Sequence, residues 1–82
     1  MNATTAANVR RVIAGHFGVK LDRVVDDTRL RDLGADWLDR LELLIMIEDQ
    51  VPEANISDAV VDHIETVGDL LRVVEDSAAS PA

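Results

Sequence analysis

Carboxylates supply most of the side chains in this sequence that can do chemistry, and they crowd one stretch. From Asp32 to Asp49 the chain reads DLGADWLDRLELLIMIED. Asp36 is a good N-cap residue. Asp39 and Glu42 place further negative charge near a helix start, where the helix dipole favours it. An indole, Trp37, stands between Asp36 and Leu38 at what the pattern makes the first helical position. It offers one N–H donor and no hydroxyl.

Other chemistry is thinly represented. There is no cysteine, so neither a disulfide nor a native thiol is available. His16 and His63 fall on different expected helices with no nucleophile beside either, and a lone helical histidine is more often structural or solvated than catalytic. Neither a calcium-loop spacing nor a glycine-rich phosphate loop occurs. The expectation is a protein that is not an enzyme and holds no metal.

The elements that position the acidic stretch can be read from periodicity. Eighty-two residues suffice for one small domain, and an apolar share of 48% suits a folded one. With Phe17 and Trp37 the only aromatic residues, the core must be aliphatic. From Thr4 to Phe17, Ala6, Val9, Ile13 and Phe17 recur at helical spacing, with Arg10 and Arg11 off that stripe. Thr4 or Thr5 is the candidate cap, and Gly18 suits the end. Residues 18–35 form a long connection in which Leu21, Val24 and Leu30 are expected to be partly buried, and Gly34 permits a turn.

The second helix is expected from Trp37 to about Gln50, with Pro52 as its limit. Its apolar residues exceed one face. Leu43, Leu44 and Ile47 make one cluster; Leu38, Leu41 and Ile45 make another, left at or near the surface. A short helix is expected from Ser57 to His63, with Ser57 as its cap. Thr66 and Asp69 resemble a capping box for a last helix through about Glu75, carrying Val67, Leu70, Leu71 and Val74 on one stripe. No segment alternates with period two, so the predicted fold is an all-α four-helix bundle. Residues 1–76 are expected to form the domain and 77–82 a flexible tail.

Charge is unevenly spread. The net value is −8, yet residues 1–31 carry six basic and three acidic side chains, and residues 32–82 carry two and thirteen. Nucleic acid is repelled by the second part, and a basic protein partner is steered to it. The longest apolar run, LLIMI, is far short of a membrane span, and no signal-peptide pattern opens the chain. A soluble, cytoplasmic monomer is expected.

The pattern LGADxLDxxELxxxIE, from Leu33 to Glu48, resembles the acyl carrier protein family. So does the helix order, and ISDAVVDHIETVGDL is similar to that family's third helix and its approach to the fourth. The resemblance implies a 4'-phosphopantetheine arm at residue 37, flanked by Asp36 and Leu38, with acyl groups held as thioesters on the arm's thiol. It implies an acyl cavity near Leu43, Ile47, Ala59, Val60 and Ile64. It also implies phosphopantetheinyl transferase and acyl-handling enzymes as partners. Basic patches on those enzymes would meet Asp36, Asp39, Glu42, Glu48 and Asp49, while Leu38, Leu41 and Ile45 give the apolar centre of the face. Arg40 interrupts the acidic face, either tuning partner choice or as a solvated helix charge.

Family members have serine where this chain has Trp37, and an indole cannot form the phosphodiester. Ser57, Ser77 and Ser80 are no substitutes. Three readings stay open: a carrier whose residue 37 was changed by design or written under the wrong letter, a carrier-like protein that carries nothing and binds basic partners, and a plain helical adaptor. The resemblance implies a cargo for fatty acid, lipid or polyketide synthesis.

Overall fold

The computed structural model describes residues 3–52 and 54–79, excepting the side chains of residues 58, 59, 78 and 79. Three α-helices order the chain: α1 (Ala3–Phe17), α2 (Trp37–Gln50) and α3 (Val67–Ala79). Single-turn 3-10 segments interrupt the long connection at Leu21–Arg23 and Leu30–Leu33, and a six-residue one, Asp58–His63, stands where a short third helix was expected. The expected all-α arrangement is therefore present, with the short third helix in 3-10 form. Among the described residues no helix is long and apolar enough to cross a membrane.

One aliphatic core joins these pieces. Val9 and Ile13 come from α1, Leu43, Leu44 and Ile47 from α2, and Val67, Leu70 and Val74 from α3. Val24 and Leu30 from the long connection, and Val61 and Ile64 from the 58–64 region, complete it. All the buried residues among those described are apolar. Ala6 and Phe17, on the same stripe as Val9 and Ile13, lie partly buried at the core's edge.

Helix ends follow local chemistry, with two corrections. Gly18 closes α1 at φ 66°, and the Val19 N–H reaches back to the Ala14 carbonyl at 3.1 Å, the six-to-one bond of a left-handed helix end. Thr4 and Thr5, in contrast, lie inside α1, because Ala3 already has helical geometry, and so neither is its cap. Thr66 does cap α3: its Oγ1 accepts from the Asp69 N–H, and Asp69 accepts from the Thr66 and Glu65 N–H groups. That helix runs to Ala79, beyond Glu75 and into the expected tail. Within that extension the Ser77 Oγ accepts from the Asn55 N–H at 2.5 Å. Residues 80–82 lie outside the described set.

The long connection is strapped down. The Leu30 N–H donates to the Glu65 carbonyl and the Val67 N–H to the Thr28 carbonyl, each at 2.9 Å, forming an isolated antiparallel bridge between Arg29 and Thr66. Gly68 donates to the Asp26 carbonyl, and a Cβ at residue 68 would stand 3.1 Å from that oxygen, so glycine allows the approach. Arg10 adds an ion pair to Asp26 at 2.6 Å. Leu21, expected to be partly buried, is 46% exposed. A three-residue turn buries few of its side chains, and Val19 and Val24 on either side take the core positions.

Candidate functional site

The strap delivers the chain to the start of α2. Gly34, at φ 95°, reverses the backbone after the Leu30–Leu33 turn, and Ala35 is tucked into the core. Asp36 then caps α2 in extended geometry. Its Oδ1 accepts from the Asp39 N–H at 2.8 Å, while Asp39 Oδ2 accepts from the Asp36 N–H at 3.1 Å. This reciprocal box satisfies two donors that a helix start otherwise leaves open, with Asp in the third position where Glu or Gln is usual.

Residue 37 is thereby fixed as the first residue of α2 and held outward. Trp37 is 50% exposed and Leu38 54%. A side chain here is sterically open, and the positive end of the helix dipole favours a phosphate nearby.

His16 contributes something the sequence did not signal. Its Nε2 lies 3.1 Å from Asp39 Oδ1 and 3.9 Å from Glu42 Oε2, so the end of α1 is pinned to the start of α2. The Phe17 ring meets the imidazole edge-on at 4.9 Å. The hydrogen bond from His16, followed by the one from the Asp36 backbone, lowers the Asp39 pKa below its ordinary value of 3.8. The carboxylate thus stays ionised at neutral pH. One ligand-type atom each from His16, Asp39 and Glu42 falls within 4.8 Å of the others, a grouping of metal-ligand type among the described residues.

The remaining α2 residues divide as their spacing predicts. Leu43, Leu44 and Ile47 are fully buried, and Ile45 is 59% exposed on the outer face with Leu38. Leu41 is half-buried against the core. Of the acids, Asp36, Glu42 and Asp49 are exposed, and Asp39 and Glu48 half-buried. Arg40 is not the solvated helix charge of the simpler reading. It is half-buried, and its guanidinium donates to the Ile64 carbonyl at 3.3 Å, bridging α2 to the segment before α3.

Of the residues implied for an acyl cavity, Leu43, Ile47 and Ile64 are fully buried in the common core, and Val60 lies partly buried at its edge. The Ala59 side chain lies outside the described set.

Fold and site together define a small helical body that presents one open position at the tip of a capped acidic helix. A family profile described as a phosphopantetheine attachment site matches residues 7–74, which is most of the chain. The protein belongs to this family of phosphopantetheine carriers. The prosthetic group the family implies does not fit residue 37 as written, because its attachment needs a hydroxyl and Trp37 has none.

Proposed function

We propose that the chain is an acyl carrier body, with residue 37 as the attachment position for a 4'-phosphopantetheine arm, and that the tryptophan there replaces a serine. The cargo is an acyl thioester for fatty acid, lipid or polyketide synthesis, the setting is cytoplasmic, and the chain itself catalyses nothing. One observation carries the reading: the 37 side chain points outward from an intact capping box. Both cap partners, the left-handed glycine before them and the exposed Leu38 after them are in place. A single unfit residue in an otherwise complete setting fits one replacement better than general decay of the site.

As written, the chain is competent to dock and unable to load. Carrier-handling enzymes with basic patches would meet Asp36, Asp39, Glu42, Glu48 and Asp49, with Leu38 and Ile45 in the apolar centre and Leu41 beneath them. The alternative, a natural carrier-like protein that carries nothing, is favoured by the half-exposed indole, since tryptophan is a frequent interface anchor.

Intact mass after incubation with a phosphopantetheinyl transferase and coenzyme A tests the proposal. The Trp37→Ser variant should gain one arm, and the chain as written none. A folded Trp37→Ser protein that several transferases leave unmodified overturns the carrier reading.

A further inference from the structure

Away from the acidic outer face, a cavity of about 260 Å³ is lined by Arg29, Arg31, Arg40, Asp62 and Glu65. It gathers three of the eight basic side chains of a protein whose net charge is −8. Three segments meet there: the strap, α2 one turn past residue 37, and the stretch leading into α3.

Solvated surface charge accounts for Arg29 and Arg31, which are exposed, but not for Arg40. Among the described residues the Arg40 Nε, sealed from solvent, has no hydrogen-bond partner, and its guanidinium makes one bond, to the Ile64 carbonyl. Asp62 and Glu65 line the same cavity, yet among the described residues the ion pairs within 4.0 Å involve only Arg10, His16 and Arg72 as cations. A partly buried charge with no described carboxylate within 4.0 Å is costly, and a bound anion relieves that cost. Three guanidiniums against two carboxylates leave an excess of one positive charge. The planar fork of arginine suits flat or tetrahedral oxyanions.

We propose that this cavity binds one singly charged oxyanion, a carboxylate or a phosphodiester, with Arg40 as the fixed anchor and Arg29 and Arg31 closing over it. Asp62 and Glu65 in the same lining disfavour more highly charged groups. The site is independent of loading at residue 37 and is tested on the chain as it stands.

Sodium acetate and dimethyl phosphate are titrated against sodium chloride at matched ionic strength, following arginine Nε–H and backbone amide resonances. Saturable shifts at Arg40 and Glu65 are expected with both probes and not with chloride. Arg40→Met should weaken binding about tenfold, as expected for losing one charge-assisted hydrogen bond. The doubly substituted Arg29→Gln, Arg31→Gln protein changes only exposed residues and should weaken it too, which keeps the test usable if Arg40→Met unfolds. Shifts that merely track ionic strength overturn the proposal, as does unchanged affinity in the folded variants.

The occupant's source is then separated with the loaded Trp37→Ser protein. Arg40 signals shifted at rest, with both probes excluded, make the arm's own phosphodiester the ligand. Undiminished probe binding makes it a free carboxylate or phosphodiester. Failure of that variant to load counts against the carrier reading and leaves the anion site standing on the first titration.

Discussion

At the scale of single residues, Asp36 and Asp39 do separable work. Asp36 closes the start of α2, so Asp36→Ala should cost about 1 kcal/mol, the usual value for a lost N-cap, seen as a lower urea midpoint with an unchanged slope. Asp39 both completes the box and receives His16. Asp69 plays a similar part in α3, where burial works to raise its pKa but the Thr66 and Glu65 N–H donors outweigh it and the net shift is downward. A carboxyl whose pKa is lower folded than unfolded adds stability above the unfolded value and loses it as pH falls through the folded one. Both contributions are therefore complete at neutral pH and disappear only below the ordinary value of 3.8. Asp39→Asn should then be less stable than the parent at pH 7, and the gap should narrow as pH drops below 3.8. A gap that stays constant in urea titrations down to pH 2.5 would mean that Asp39 acts through shape rather than charge.

Elements differ in how openly the sequence declares them. The start of α2 and the start of α3 were legible because each cap lies within four residues of its partner, and α2 showed its two apolar clusters by count alone. The bond from His16 to Asp39 and that from Arg40 to Ile64 span 23 and 24 residues, beyond anything periodicity encodes. The last turns of α3 hold a hydroxyl that meets Asn55 from 22 residues away. In the proposed reading, partner recognition depends on the outer face of α2. Its exposed Leu38 and Ile45 lie beside Glu42 and Asp49. Glu42→Lys with Asp49→Lys changes the charge of that face by four and buries nothing new. Association with a basic transferase should slow at least about tenfold at low salt, the lower end of electrostatic steering, with little change in the dissociation rate. An unaltered on-rate in stopped-flow measurements would place docking elsewhere.

Over the whole molecule, thirteen carboxylates and two basic side chains in residues 32–82 set the fold against the proposed docking of basic partners. An aliphatic core in a domain this small leaves a modest stability margin, on the order of 4–12 kcal/mol by the usual value per residue. Within the described residues the ion pairs are few, and those of Arg10 and Arg72 are exposed enough to add little. Repulsion among the acids therefore opposes the compact state, and the strap that ties residues 26–30 to the start of α3 holds against it. Added sodium chloride screens that repulsion, because the Debye length falls from about 30 Å at 0.01 M to about 10 Å at 0.1 M. The melting temperature should rise across this range. The same salt weakens attraction to a basic partner, so the association rate should fall as the melting temperature climbs. Opposite signs in two measurements on one sample tie both effects to the same charges. A melting temperature that is flat or falling with salt would show that the strap and core leave the acids no leverage on the fold, and that their density serves docking alone.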